Sequence, residues 1–288
     1  MLIPLLFLAW TMGGLINLLA DSLPFTRRPQ LPHCHSCGAP YSPVAWLSVS
    51  AILARVWRCS YCDSPRNLRA PIVELASILI ALSLYHREPY MGTIWTGLII
   101  AGIFLLIVVI DIEHRLILHI VSGPAAIIGG LFGFLDPNKD IAKTILGGAV
   151  GLGVVLILFL LGALFAKFVA VRRGDDLDEV AFGFGDVTLA GVIGLTVGWP
   201  GVIVALFIGV LIAGEFSMVY IIDRYLRGRY QAYLPIPYGP FLVIGAWIIY
   251  HGGPALVYQL FPWGPLVLLL LLTLVFAAKH LFERIKAQ

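Results

Sequence analysis

Charged residues are scarce in this sequence. Asp, Glu, Lys and Arg make up 12% of its 288 residues and hydrophobic residues make up 60%, whereas about a quarter of an ordinary globular domain is charged. This composition excludes a soluble globule and indicates a protein built for the lipid bilayer. The formal net charge of +3 is too small to indicate a nucleic-acid-binding protein, because such proteins carry dense basic patches.

Long polar segments are also rare, because apolar runs recur along nearly the whole chain. A helix of about 20 residues crosses a hydrocarbon core of about 30 Å. The apolar runs are 2–20, 71–86, 93–112, 116–135, 142–169, 183–199, 201–222, 237–251 and 264–281. The sequence therefore predicts an all-α, polytopic transmembrane helix bundle with about nine spans and no internal repeat.

The distribution of basic residues predicts the orientation of this bundle. Lys and Arg accumulate in cytoplasmic loops. With the N-terminus outside, 16 of them fall on the cytoplasmic side and 3 on the other. The first apolar run lacks the basic start and the cleavage site of a signal peptide, so we interpret it as a membrane helix.

Cysteine is scarce too, and all four cysteines lie in the one long polar insertion, residues 21–70. They form two C-x-x-C pairs, Cys34 with Cys37 and Cys59 with Cys62. Two such pairs approach the spacing of a four-thiolate zinc site, in which the ion is held in a closed tetrahedron. Because this loop has little core of its own, metal binding would supply folding free energy. The sequence predicts structural zinc in a small cytoplasmic loop.

Two other arrangements of this loop stay open. Two disulfides would also use four cysteines, but disulfides are rare in the reducing cytoplasm, where the predicted orientation places the loop. His33 and His35 flank Cys34 and are alternative ligands, although an exposed histidine is more often solvated.

Carboxylates mark the ends of two predicted spans. Asp111 ends the third span and Asp186 begins the sixth, so both lie at the cytoplasmic boundary although they are 75 residues apart. Ionisable residues in spans are costly and usually mark function. We interpret Glu74 as a charge near the cytoplasmic start of the second span. We expect Glu215, deeper in the seventh, to be hydrogen-bonded inside the bundle.

Two carboxyl groups that share a proton are the catalytic apparatus of an aspartic protease, because repulsion keeps one protonated while the other is ionised. The ionised group accepts a proton from water as the water attacks the peptide carbonyl. Gly183 and Gly185 lack a Cβ, so they would tolerate unusual backbone angles and let a substrate strand approach Asp186. Asp111 and Asp186 would also serve as the carboxylate relay of an ion- or proton-coupled transporter. A scaffold protein would need only the zinc loop.

Six segments in order resemble the bacterial type IV prepilin peptidases, GxGD-type membrane aspartic proteases of the prepilin leader peptidase/N-methyltransferase family. They are GGLINLLADSLP from residue 13, the two C-x-x-C pairs, RAPIVEL, DIEHRLI, GFGDVTLAGVIG and PIPYGPFLVIGA, which ends at residue 246. The resemblance covers about residues 13 to 250. Some positions depart from the usual family pattern, in which an aspartate stands at His119 and a lysine at Thr188, and the ninth span exceeds the usual eight.

This resemblance implies a multi-pass enzyme of the bacterial inner membrane that removes the basic leader from prepilins or pseudopilins, the subunits of type IV pili and type II secretion systems. Asp111 and Asp186 would be its catalytic residues. Many members also methylate the new N-terminus with S-adenosylmethionine. The substrate's apolar stem would dock against membrane helices, with Gly191 and Gly194 permitting close approach.

We divide the chain into four regions on this basis. They are the first transmembrane helix (1–20), the cytoplasmic zinc loop with its four cysteines (21–70), the membrane-embedded peptidase core (71–252) and an extra C-terminal transmembrane helix with a basic tail (253–288).

Overall fold

The structure is a computed structural model that describes residues 2–87, 91–135, 140–173, 183–228 and 236–260. Its helices are α1 Leu2–Thr26, α2 Ser48–Leu53, α3 Arg69–Arg87, α4 Met91–His114, α5 His119–Leu135, α6 Ile141–Arg173, α7 Phe184–Val197, α8 Gly201–Leu226 and α9 Gly239–Leu260, with a 3-10 turn at Pro43–Ala45. In these ranges there is no β-strand, only two isolated bridges. The predicted all-α class is confirmed.

Five of these helices have the length and apolar composition needed to cross a bilayer. They are α1, α3, residues 92–114 of α4, residues 141–164 of α6, and α8. The helices α5 and α7 are apolar but shorter. Large hydrophobic side chains such as Leu79 and Leu161 are more than half exposed, as expected of surfaces that contact lipid. The chain is a multi-pass membrane protein, and the number of nine spans stays a prediction.

Several helices differ in length from the predicted spans. α1 continues to Thr26, six residues beyond its predicted end, and α6 reaches Arg173. The short helix α2 lies inside the predicted zinc loop. The ninth predicted span, 264–281, lies outside the described residues.

The helix α7 forms the centre of the bundle. Val187, Leu189, Ala190 and Ile193 are at most 1% exposed, so this helix is surrounded by other helices on most sides. An apolar helix buried in this way needs no polar face. Its position brings the segment that contains Asp186 into the core.

Glycines let α6 and α7 cross at close range. A Cβ on Gly194 would lie 2.1 Å from the carbonyl oxygen of Gly147, and one on Gly147 would lie 2.4 Å from the carbonyl oxygen of Gly194. Small residues allow membrane helices to approach in this way. The prediction that Gly194 serves substrate docking is therefore wrong, because this glycine is used inside the bundle.

Candidate active site and metal centre

Asp111 lies on the last turn of α4. Arg115 adopts a left-handed conformation with φ of 55°, and its N–H donates to the Asp111 carbonyl at 2.8 Å, an arrangement that ends helices. Asp111 is buried, and its Oδ2 accepts a hydrogen bond from the Gly239 N–H at 3.0 Å. The first residue of α9 thus holds the carboxylate at the end of α4.

Gly239 has to be glycine for this contact to form. A Cβ on Gly239 would lie 2.6 Å from Asp111 Oδ2, a distance that would force the carboxylate to move. The backbone of α9 can therefore reach Asp111 only because the side chain is absent. Sequence reasoning missed this role, although the proline–glycine segment PIPYGP was a visible signal.

Asp186 lies in the first turn of α7. Gly183 precedes the helix in an extended conformation, and its N–H donates to Asp186 Oδ2 at 3.0 Å. The carboxylate satisfies an N–H that the helix leaves unpaired, and negative charge is favourable at a helix N-terminus. Asp186 is buried, with 9% of its surface exposed.

The structure brings the two aspartates into one region. Their charges are close enough to repel each other. Tyr238 lies in the electrostatic field of Asp186, while its neighbour Gly239 binds Asp111. Residues 238 and 239 therefore lie in the region of both acids, which are 75 residues apart in the sequence. In each acid a backbone N–H holds Oδ2.

The two glycines before Asp186 differ from each other in the space around them. Gly183 has an ordinary φ of −78°, and Gly185 is part of α7, so neither needs an unusual backbone angle. A Cβ on Gly185 would lie 2.6 Å from the Cβ of Ile117, whereas one on Gly183 would meet no described atom closer than 3.7 Å. Gly185 thus permits packing against the connection between α4 and α5. Within the described part of the chain, Gly183 leaves space beside the acid.

The four cysteines form the predicted cluster. Their sulfur atoms all lie within 4.8 Å of one another, with Cys34 3.6 Å from Cys62 and Cys37 3.7 Å from Cys59. Tetrahedral Zn–S bonds of about 2.3 Å place sulfurs about 3.8 Å apart, whereas a disulfide bond is about 2.05 Å. All four are free thiols, so they fit a zinc ion and form no disulfide.

Two turns of the same design supply these thiols. Cys34 receives the Gly38 N–H on its carbonyl at 2.8 Å, and Cys59 receives the Asp63 N–H at 2.9 Å. Gly38 and Asp63 both have positive φ angles, of 73° and 55°. The isolated bridges His33–Pro40 and Arg58–Pro65 close the two turns. The sequence analysis predicted no internal repeat, and that prediction missed this pair of similar eight-residue turns.

The surroundings of Cys34 favour the thiolate that binds metal. Burial raises the pKa of the Cys34 thiol, but hydrogen bonds from the backbone N–H groups of Cys37 and Ser36 and from neighbouring thiols bring it down to about 6.

The two histidines that flank Cys34 are not part of the thiol cluster. His33 Nδ1 is 3.0 Å from the Leu31 carbonyl oxygen, and the described cluster contains neither His33 nor His35.

Glu74 lies near the start of α3, as interpreted from the sequence, but it is not at the surface. Its carboxylate is completely buried and accepts hydrogen bonds from Trp10 Nε1 at 2.7 Å and the Val49 N–H at 3.0 Å. The Ser48 N–H donates to its other oxygen. Glu74 therefore joins α1 and α3 to the first turn of α2, which belongs to the zinc loop.

Arg69 ties the same loop to the end of α4. Its Nη1 donates to Glu113 Oε2 and its Nη2 to Asp21 Oδ1, each at 2.6 Å. Its side chain is only 13% exposed, so solvent screens these pairs less than at an open surface. Glu113 is two residues past Asp111, so this contact joins the base of the zinc loop to the helix end that carries one of the two acids.

Glu215 is exposed on α8. The expectation that it is hydrogen-bonded inside the bundle is therefore wrong, because it lies on a face of α8 that none of the described helices covers. Its position in the sequence predicted its depth along the helix but not the direction of its side chain.

Comparison with known families agrees with this geometry. The family model described as type IV leader peptidase matches residues 98–218, and the model of the bacterial peptidase A24 N-terminal domain matches residues 7–87. The first range contains both aspartates and the second contains all four cysteines. The chain belongs to the type IV leader peptidase family. It is a peptidase, and the predicted family is confirmed.

The relatives of this leader peptidase carry the name prepilin leader peptidase/N-methyltransferase. The protein from Aeromonas hydrophila is 27% identical over 221 residues, which cover 75% of this chain and 69% of that protein. The protein from Legionella pneumophila is 27% identical over 235 residues, covering 81% and 75%. The Pseudomonas aeruginosa protein is 26% identical over 224 residues, covering 75% and 69%. No solved structure matches the chain.

Proposed function

We propose that this leader peptidase uses Asp111 and Asp186 to cleave the basic leader from a type IV prepilin or pseudopilin at the cytoplasmic face of the bacterial inner membrane. The observation that supports the proposal is that both carboxylates are buried, with Asp111 held by Gly239 and within the electrostatic influence of Asp186. The four regions 1–20, 21–70, 71–252 and 253–288 remain our proposed division of the chain. Lipid surrounds the exposed apolar helix faces.

The chemistry follows from the shared environment of the two acids. Repulsion between them favours a state in which one is ionised and the other protonated. The ionised carboxylate accepts a proton from water while the water oxygen attacks the scissile carbonyl carbon. The protonated carboxyl donates a hydrogen bond to the carbonyl oxygen. The C–N bond then breaks, and the leaving amine takes a proton from the pair.

The backbone contacts have a role in this reaction. Gly239 and Gly183 each donate one N–H to Oδ2 of an aspartate, which limits rotation of the carboxylate. Fixed orientation of reacting groups contributes strongly to catalysis. Asp111 and Asp186 are thus held in a fixed orientation for water and substrate.

Zinc has a structural role in this proposal. Cys34, Cys37, Cys59 and Cys62 would hold the ion. Four thiolates fill its tetrahedral coordination, so no position remains for water activation. The zinc loop supports the acid pair through Arg69 and Glu113.

Methylation stays a prediction from the resemblance and from the relatives' printed names. A polar cavity at the base of the zinc loop is lined by Asn17, Arg66 and Arg69, whose Oδ1, Nη1 and Nε atoms are buried without a hydrogen-bond partner among the described residues. Its volume is about 40 Å³, which holds a few water molecules and not S-adenosylmethionine.

The proposal is tested by incubating the purified full chain with a prepilin and weighing the product. We expect the mass to fall by that of the leader. Asp111→Asn and Asp186→Asn should each leave the prepilin intact, while Glu215→Gln, which changes an exposed carboxylate, should cleave normally. Normal cleavage by either Asn variant would contradict the proposal. Ion flux in vesicles without any cleavage would favour the transporter.

A further inference from the structure

Residues 44–53 of the zinc loop, VAWLSVSAIL, carry no charge, and eight of the ten are hydrophobic. We call them the α2 segment, because they contain α2. An apolar stretch of about ten residues is too short to span a bilayer, and it is typical of a buried core helix or of a segment that lies in the membrane interface. The segment is not buried as a core helix, because Leu53 is 79% exposed, Val44 54% and Ile52 48%.

Contacts with α1 and α3 show how deep the α2 segment lies. Asn17 Nδ2 donates to the Ala70 carbonyl at 2.9 Å, so residue 17 of α1 is level with the start of α3, which is its predicted cytoplasmic end. Glu74 is four residues further along α3, about 6 Å at 1.5 Å per residue. The Ser48 and Val49 N–H groups both donate to the Glu74 carboxylate. The first turn of α2 therefore lies about one helix turn deeper in the membrane than the first residues of α3.

At this depth the outer surface of α1 and α3 is apolar. Leu15 on α1 and Ile72 and Leu75 on α3 are each more than half exposed, and both helices are long enough to cross a bilayer. Leu47 packs against α1 in the space that a side chain on Gly14 would need. The exposed side chains of the α2 segment thus continue a surface that contacts lipid.

The charges beside the α2 segment fit an anionic membrane surface. No Asp or Glu occurs in residues 29–62, whereas Arg55 and Arg58 follow the segment and are both exposed. Arg58 also pairs with Asp63. Basic residues beside an apolar segment attract the anionic headgroups of the cytoplasmic leaflet, and a long arginine side chain can reach them while its stem lies along apolar surface. Trp46, which is 43% exposed, is of a residue type enriched at this boundary.

We propose that the α2 segment is inserted into the leaflet in which α3 begins, with Leu53 and Ile52 in contact with lipid chains and Arg55 at the headgroups. The predicted orientation makes this the cytoplasmic leaflet. Interfacial segments bury their apolar face about 5–10 Å into the boundary between headgroups and chains, which agrees with the depth of Glu74. The zinc loop is then partly embedded in the membrane. A surface for a soluble protein partner would instead place the same side chains in water.

Quenching of a fluorescent label by lipid tests this in the full chain and needs no substrate. Leu53→Cys is labelled with a small fluorescent maleimide and reconstituted in vesicles of phosphatidylethanolamine and phosphatidylglycerol, some of which carry bromine near the top of the acyl chains. Leu31→Cys is the matched control, because Leu31 is 65% exposed in the same loop but lies five residues past the end of α1. The unsubstituted chain, treated in the same way, gives the background from the four natural cysteines. Zinc content shows that each variant has a folded loop.

We expect brominated lipid to quench the label at residue 53 at least about threefold more than the label at residue 31, because bromine quenches only at close approach and an interfacial segment lies about 5–10 Å into the boundary. Ile52→Cys, a second exposed position of the same segment, should behave like Leu53→Cys. Equal quenching at residues 53 and 31 would overturn the proposal. A disulfide between unlabelled Leu53→Cys and a cysteine placed in the apolar run 264–281 would also overturn it, because this chain would then cover the segment itself.

Discussion

Two turns of eight residues supply every thiol of the metal centre, whereas the acid pair is assembled from the ends of three helices, and Asp111 and Gly239 are 128 residues apart. The thiol cluster depends on hydrogen bonds between near neighbours in sequence. The acid pair depends on how α4, α7 and α9 pack. The sequence therefore predicts a local motif almost completely. For a site assembled from distant helices, it predicts the individual residues but not how they pack together.

The two regions are nevertheless connected. Glu74 joins α2 of the zinc loop to α1 and α3, and Arg69 joins the loop to Glu113 near the end of α4. Loss of the loop should therefore disturb the acid pair indirectly, through these contacts. Loss of the acid pair's geometry should leave the loop intact. This asymmetry can be measured.

The largest effect is expected from removal of zinc. Cys59→Ser breaks the four-thiolate set, so bound zinc should fall from about one ion per chain to none, and the loop should lose the folding free energy that metal binding supplies. Metal analysis and trypsin digestion at Arg55 and Arg58 measure this. Ser36→Ala, an exposed change in the same turn, should keep its zinc. A Cys59→Ser protein with full zinc and a protected loop would contradict the account.

A smaller effect, confined to the acid pair, is expected from Gly239→Ala. Its Cβ would displace the Asp111 carboxylate, and a misplacement of about 1 Å lowers the rate about 100-fold. Zinc content should not change. Gly214→Ala, on α8 with open space around it, is the control and should cleave normally. Wild-type cleavage by Gly239→Ala would show that the contact between α9 and Asp111 is not needed.

The smallest effects separate the two glycines before Asp186. Gly185→Ala brings a Cβ against Ile117 and should destabilise the protein by about 1–3 kcal/mol. A Cβ on Gly183 meets no described atom closer than 3.7 Å, so Gly183→Ala should lose only the preference of an N-cap for glycine over alanine, about 0.5 kcal/mol. Thermal unfolding in detergent compares the two. Equal destabilisation would mean that the packing of Gly185 against Ile117 is not what requires glycine there.

Most of the helices, the thiol cluster and the two aspartates could be predicted from the sequence. Apolar runs identified helices because length and composition alone decide whether a segment can cross a bilayer. The two C-x-x-C pairs identified the thiol cluster because each pair is local. Asp111 and Asp186 stood out because charge is rare in the rest of the spans.

The remaining errors concern the direction of side chains. The sequence predicts the depth of Glu74 and Glu215 in their helices, but only packing decides which neighbour they face. Glu74 is buried at the base of the zinc loop, whereas Glu215 is exposed. Gly194 and Gly185 were assigned to substrate, whereas they serve contacts with α6 and Ile117 that no local pattern reveals.

The central claim is that Asp111 and Asp186 act as one catalytic unit, and a double-mutant comparison of cleavage rates tests it most directly. Asp111→Asn, Asp186→Asn and the double variant are assayed on the same prepilin. Residues that act as a unit are strongly non-additive, so we predict that each single variant loses at least about 1,000-fold and that the double variant is no slower. The account would be contradicted if the loss of rate in the double variant equalled the product of the two single losses. Substantial cleavage by either single variant would also contradict it.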